Sequence, residues 1–294
     1  MIIVTGATGE LGRRIVERLL TRVPAERIGV TARDPRRAQA FADRGIRVRP
    51  ADFADPESLP YAFEGAARVL VVSVDELGEE AVRRHRTAIE GAVAAGARRV
   101  LYTSHAGANP HSHFEPCRDH AATEEILRTC GVPYTALRNG FYLTSAMRFL
   151  DRVAESGRIA VPADGPVAWT AHDDLAEAAA AILTDDTPVD GPTPPLTASR
   201  ALTFEDLATH TASLLGRSVE RIIVPDNEFR DQLIDFGVPA DISDMLLGMF
   251  IAARAREFAT VDPTLENLIG HDPLDIDAML REQLPAHVRP SARG

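Results

Sequence analysis

Cysteine is almost absent from this 294-residue chain: Cys117 and Cys130 are the only two, and they form neither a C-x-x-C motif nor a disulfide framework. Both read as reduced, core-filling thiols. Long apolar runs are absent too, since none approaches the ~20 residues that a helix needs to cross a bilayer. Met1 leads straight into Ile2-Ile3-Val4-Thr5-Gly6 with no basic stretch ahead of it. No signal peptide is read, and a cytoplasmic protein with no membrane partner is expected. Positive charge is in deficit, 32 Lys+Arg against 43 Asp+Glu, for a net −11. Such a surface opposes a phosphate backbone, because nucleic-acid affinity comes largely from basic side chains displacing counterions, so no nucleic-acid partner is expected. The basic cluster Arg33, Arg36 and Arg37 suits one small anionic ligand instead.

What the chain does hold, 45% hydrophobic and 26% charged residues, is the composition of a globular protein able to bury a sizeable core. Through its first half short β-rich runs alternate with helical patterns. Strands are predicted at 2–5, 27–32, 46–49, 68–72, 99–103 and 134–138. Helices are predicted at 11–21, from Pro35 to 42, at 79–95 and at 121–130, the last stopped by Gly131 and Pro133. Strands separated by helices of this length need crossover connections, which make a parallel sheet covered on both faces. The predicted fold is therefore α/β, a Rossmann-type doubly wound parallel sheet over residues 1–150. Residues 151–294 read as a smaller, mostly helical C-terminal lobe beside a substrate cleft, with residues near 165–185 returning to the sheet. Helical patterns are read at 141–155, 173–183, 204–215 and 241–258, the last with Met245, Met249, Phe250 and Phe258 on an apolar face. No internal repeat is present.

Gly6, Gly9 and Gly12 fall on the turn between the first strand and the first helix, in Gly6-Ala7-Thr8-Gly9-Glu10-Leu11-Gly12. A dinucleotide site needs a tight turn there, a backbone that a diphosphate can approach, and amides at a helix N-terminus aimed at the anion. An NAD site usually adds an acidic residue about 20 positions on, for the ribose diol. Here the second strand closes on Ala32-Arg33-Asp34. Arg33 can grip a 2′-phosphate, with Arg36 or Arg37 as second contacts. Asp34 either faces the diol or caps the turn that Pro35 opens. NADP(H) is favoured over NAD(H).

The glycine loop is followed in one order by Ala32-Arg33-Asp34-Pro35, Tyr102-Thr103-Ser104, His120-Ala121-Ala122-Thr123-Glu124 and Leu137-Arg138-Asn139-Gly140-Phe141-Tyr142. That order resembles the NmrA-like group of atypical short-chain dehydrogenases/reductases, and within it the NAD(P)H:quinone oxidoreductases, over nearly the whole chain. The resemblance implies that the glycine loop and Arg33 hold NADPH, and that Asp52 and Phe53 lie near the adenine. It implies further that Val72, Ser73 and Val74 run along the cofactor, and that Thr103 and Ser104 border the nicotinamide. A plain reading stands beside each carry-over: Asp52 capping the turn before Pro56, Ser104 bonding only backbone.

Typical members of that superfamily use a Tyr-x-x-x-Lys pair for proton transfer. Aligning His120 with the lysine puts Pro116 at the tyrosine, so both residues are missing. Hydride delivery to a quinone asks less, because the hydroquinone oxyanion is stabilised by its own ring and protons come from water. His120, with an unperturbed pKa of ~6.5, reads as a proton source or a donor to ribose or substrate, or else as a helix cap or the partner of a carboxylate. Tyr142 reads as a stacking or donor group, or else as core. Two functions therefore stand: an NADPH-dependent oxidoreductase acting on a quinone or similar small conjugated electrophile, with His120, Tyr142 and Ser104 as catalytic candidates, and a catalytically silent NADP(H)-binding sensor acting on a protein partner. His105, His111 and His113 lack a completing ligand, so no metal is expected. Asp173 and Asp174 read as helix-start charges rather than a catalytic pair. Oligomeric state, a homodimer included, is not legible.

Overall fold

The computed structural model describes residues 1–283, so the last eleven positions of the predicted 151–294 lobe lie outside the described residues. Seven parallel strands form the central sheet: β1 (Ile2–Val4), β2 (Ile28–Ala32), β3 (Arg47–Pro50), β4 (Arg68–Val71), β5 (Arg99–His105), β6 (Tyr134–Asn139) and β7 (Gly191–Pro192). Their order is β7-β6-β5-β4-β1-β2-β3, every pairing parallel. Strand order reverses between β1 and β4, and a crevice opens at such a switch point beyond the carboxyl ends of the strands.

Alternation along each strand explains why both faces are covered. Ile2, Val4, Leu70, Leu101 and Leu137 share one core with α1 (Glu10–Leu20) and α4 (His172–Thr184). Ile3, Val69, Val71, Val100 and Tyr102 share the opposite core with α2 (Gly78–Ala94) and α3 (Glu115–Arg128). A third core belongs to the C-terminal half, where α5 (Phe204–Leu215) and α6 (Ala240–Arg254) gather Trp169, Phe204, Phe250 and Phe258, with Phe114 reaching in from the first half. The chain crosses back before its end. Helix α4 lies on α1, β7 extends the sheet beside β6, and Leu265 and Ile269 join the core under α1.

Three local expectations change. Helix α3 begins at Glu115, not near 121, because Pro116 sits in its first turn, where its missing N–H costs nothing; His120 is therefore inside the helix and caps nothing. Residues 141–155 are not one helix. Phe141–Tyr142 pairs with Trp169–Thr170 as a two-residue ladder, and short helices follow at Leu143–Met147 and Val153–Ser156. The pattern read over 241–258 ends at Arg254, and Arg256 takes a left-handed backbone (φ 62°), so Phe258 approaches its core from a loop. Among the described residues no helix is long and apolar enough to cross a membrane.

Leu70, fully buried in the middle of β4, tests this layering. Leu70→Ala should lower unfolding stability by about 2–5 kcal/mol, read as a lower denaturant midpoint at constant slope; a change below ~1 kcal/mol would contradict a packed two-faced sheet.

Candidate functional site

A cleft of about 630 Å³ opens at the switch point. Its floor is the turn from β1 into α1. Gly6 is left-handed (φ +60°), and a methyl on it would meet the Val72 side chain at 3.1 Å; a methyl on Gly12 would sit 2.3 Å from the Gly6 carbonyl oxygen. Only glycine lets α1 start this close to β1. No side chain caps α1, whose N-cap residue is Gly9, so its first amides are left to an anion in the cleft. Gly6, Thr8, Gly9, Glu10, Leu11 and Gly12 all line the cleft. Ala7 does not; it is fully buried in the core beneath.

One wall is the strap Val72-Ser73-Val74, which lines the cleft. Each of its three amides donates to a side chain of a different element. Val72 N–H donates to Thr5 Oγ1 (2.9 Å), Ser73 N–H to Thr103 Oγ1 (2.8 Å) and Val74 N–H to His85 Nε2 (3.0 Å). Thr103 is thus a buried anchor beneath the wall and does not itself line the cleft. His85, on α2, escaped the sequence reading, since its partner is eleven residues away and no motif marks it. Because Nε2 accepts, the ring hydrogen lies on Nδ1, 3.0 Å from Thr123 Oγ1. Burial pushes the His85 pKa down from 6.5 to about 4, so the neutral form that can accept from Val74 is the resident one.

At the far end of β2, Thr31, Ala32, Arg33 and Arg37 line the cleft together with Asp52 and Phe53. Asp34 does cap the turn that Pro35 opens, accepting from Arg36 N–H (3.1 Å), and its carboxylate is also paired with the Arg36 guanidinium (2.9 Å). Arg36 is thereby tied to Asp34. Arg33 and Arg37 carry no ion pair among the described residues. Asp52 makes a local turn, accepting from Ala54 N–H (2.9 Å), and still borders the cleft.

The opposite wall comes from the first turn of the second half: Tyr142, Thr144, Ser145, Arg148 and, from α4, His172. Sequence reasoning found only Tyr142 there. Its ring lies against His172 (centroids 4.2 Å, 39° tilt), and burial raises its pKa, keeping the hydroxyl protonated. The remaining candidates are not brought to the cleft. Ser104 is buried and donates to Glu124 Oε1 (2.6 Å), whose carboxylate pairs with Arg138 (2.7 Å). His120 Nδ1 shares a hydrogen bond with the Tyr102 hydroxyl (2.7 Å). Burial, then the neighbouring His105 and His85, hold the His120 pKa well below 6.5. The imidazolium expected from an ordinary pKa therefore does not form near neutrality. Asp173 and Asp174 do sit in the first turn of α4, but bond outward, Asp173 to Arg14 and Asp174 to Leu274 N–H (2.8 Å). Among the described residues no group of three His, Cys, Asp or Glu side chains is placed to hold a metal.

Two predictions follow from the geometry of floor and strap. Gly12→Ala should abolish measurable nucleotide binding by calorimetry and cost more than ~2 kcal/mol of stability; retained binding would sink the close-approach argument. For His85 the folded pKa is depressed, so the unfolded chain binds the proton first and stability falls as pH drops from 6.5 towards 4. The loss attributable to it is on the order of 3 kcal/mol. Denaturation at pH 7 and pH 4.5 should show a smaller drop for His85→Gln than for the parent; equal drops would contradict a neutral buried ring.

Known proteins resemble this chain over most of its length. Quinone oxidoreductase 2 of Escherichia coli (strain K12) is 34% identical over 274 residues, 92% of this chain and 94% of that protein. The crystal structure of an E. coli NADPH-dependent quinone oxidoreductase complexed with NADPH superimposes with a TM-score of 0.90 at 32% identity, covering 96% of this chain and 99% of that one. Triphenylmethane reductase of Citrobacter sp. complexed with NADP(H) gives a TM-score of 0.88 at 31% identity, covering 97% and 100%. The NmrA-like family matches residues 1–272. With its glycine floor, pinned strap and that match over nearly its whole length, the chain belongs to the NmrA-like family.

Proposed function

We propose that this protein is an NADPH-dependent oxidoreductase whose electron acceptor is a quinone or a similar small conjugated electrophile. One observation carries the cofactor choice: Arg33 and Arg37, two guanidinium groups without ion pairs among the described residues, border the cleft, while the acidic residue that would hold a ribose diol, Asp34, is occupied by its own turn and by Arg36. Two relatives above 30% identity whose structures hold NADPH or NADP(H) support the same reading.

In this reading the uncapped amides of α1 and the Gly6–Gly12 floor hold the diphosphate. Arg33 and Arg37 grip the 2′-phosphate. Asp52 and Phe53 border the adenine, and the Val72–Val74 strap forms a wall too rigid to yield as the ligand enters. NADPH, when bound, supplies the hydride, and with one proton from water that hydride takes a quinone to its hydroquinone. Tyr142 offers a protonated hydroxyl at the cleft wall. His120 acts as a positioning residue through Tyr102, and Ser104 through Glu124. The count of 32 Lys+Arg consists entirely of arginine, so no lysine exists to complete a Tyr-x-x-x-Lys pair. Proton transfer by that route is closed, and acceptors that need no protein acid are the ones that remain.

The test is NADPH consumption over a panel of benzoquinones and naphthoquinones; binding of NADP(H) without consumption of NADPH by any of them would replace this reading with the silent sensor. Arg33→Ala should raise the KM for NADPH by roughly 10- to 100-fold, the loss of a charge-assisted contact, and leave that for NADH within about twofold. Equal weakening of both would remove Arg33 from the 2′-phosphate.

A further inference from the structure

His105 ends β5, and in register it faces Asn139 of β6. Its Nδ1 accepts from Gly107 N–H (2.9 Å), and burial lowers its pKa from 6.5 to about 4. The ring is therefore neutral with its hydrogen on Nε2. That Nε2 is sealed from solvent and has no partner among the described residues. A buried N–H without an acceptor is costly, so it calls for an explanation.

The surroundings supply one. The His105 ring is boxed by Phe141 (5.1 Å, 84°), Phe258 (5.5 Å, 73°) and Phe114 (6.4 Å, 61°), all edge-to-face, with His120 stacked at 6.0 Å. Phe141 immediately precedes Tyr142, which lines the cofactor cleft, and the two side chains pack into different cores on either side of that strand. None of the box residues lines the cleft. Of the five rings, His105 is fixed by β5, His120 by α3 and Phe141 by its two-residue ladder, and Phe114 immediately precedes α3. Phe258 sits on a loop after the left-handed Arg256. That loop is clasped to residues 112–113 through Glu257, which accepts from Ser112 Oγ and from His113 N–H (3.1 Å). A polar hydrogen without an acceptor, a cage of flat rings and a ring carried on a loop describe a plugged seat for a flat carbonyl compound.

We propose that this box is the acceptor site: the Phe258 ring swings out, a flat acceptor ring takes its place, and His105 Nε2–H donates to the acceptor's carbonyl oxygen. The inference rests on the reductase reading for the class of acceptor, and it adds the residue that selects for a carbonyl. Bond-making here is limited to that hydrogen bond.

Trp169, the single tryptophan of the chain, packs 5.4 Å from Phe141 and so reports on the box. The protein is saturated with NADP⁺, which has no hydride to give, and titrated with 1,4-naphthoquinone while Trp169 fluorescence is followed against a free tryptophan analogue. Saturable quenching is expected. His105→Asn keeps an oxygen near Nδ1 for Gly107 but places nothing at Nε2, and should weaken naphthoquinone binding about tenfold. His105→Gln, whose amide nitrogen reaches the Nε2 position, should return it to within about threefold. NADP⁺ affinity should be equal in all three. Phe258→Ala should tighten binding several-fold, because the competent state no longer has to be opened. Equal naphthoquinone affinity in the parent and His105→Asn overturns the proposal, as does a parent with no saturable quenching. If His105→Asn loses NADP⁺ binding through misfolding, Phe258→Ala decides alone, with tightening in support and unchanged or weaker quenching against. Quenching that depends on His105 without any NADPH consumption would leave the seat standing and remove the reductase reading. Consumption with quenching indifferent to His105 would do the reverse.

Discussion

The distance between α1 and β1 decides what this molecule can bind. Helix α1 begins so close beneath the first strand that the Gly6 carbonyl oxygen lies 2.3 Å from the place a Cβ on Gly12 would occupy. That closeness turns a strand–helix connection into an anion floor, because the peptide hydrogens of the first helical turn then point along the crevice rather than into a side-chain cap. The crevice itself follows from sheet order. Only where β1 and β4 send their crossovers to opposite faces do two loops part at the carboxyl edge and leave room between them. The hydrophobic alternation that places α1 and α4 on one side and α2 and α3 on the other is thus a precondition of the site as well as of stability.

The wall opposite the floor is held by a different kind of contact. A loop leaving β4 would ordinarily be free to flex, since its amides have no strand partner. Here each amide of Val72-Ser73-Val74 ends on a side-chain acceptor, from the residue after β1, from β5 and from α2 in turn. A histidine serves as one of these acceptors only while neutral, and burial keeps His85 so. Its Nδ1 lies against Thr123 Oγ1, which in turn donates to the Asp119 carbonyl (2.9 Å), while Tyr102 reaches towards both His85 and His120. One buried polar chain therefore connects the cofactor wall to the interior of α3. His120 lies on that chain without bordering the cleft.

The strands, the doubly wound sheet, the glycine floor and the basic end of β2 were legible because each is a local signal: a period of two, a glycine spacing, an arginine after a strand. Asp34 was legible as a cap for the same reason, Pro35 being its neighbour. What escaped the sequence is what depends on distant partners. His85 becomes an acceptor only through a loop on another strand. Ser104 turned out to hold Glu124, and that in turn Arg138, a pairing across two strands and a helix that no spacing encodes. The apolar pattern that carried the helix reading on to Phe258 was continuous in sequence, yet Arg256 leaves the helical region, so periodicity described the burial of Phe258 correctly and its secondary structure wrongly. Thr144, Ser145 and Arg148 carry no motif and reach the cleft because the chain breaks after Tyr142 into short pieces.

The protonation states give the chemistry its direction. His85 and His105 are depressed to about 4, His120 lies well below its ordinary value, and Tyr102 and Tyr142 are raised. Every titratable ring in and behind this wall is thus neutral across the physiological range. A neutral imidazole or phenol can donate or accept a hydrogen bond but is a weak acid and a weak base there. An alcohol–ketone interconversion, which must place or remove a proton on an unstabilised alkoxide, is poorly served by such a set, and the chain has no lysine to sharpen any of its tyrosines. Addition of hydride to an acceptor whose product anion is already delocalised has no such requirement. For that reaction a wall of neutral rings makes no demand that the arginines bordering the same crevice would oppose.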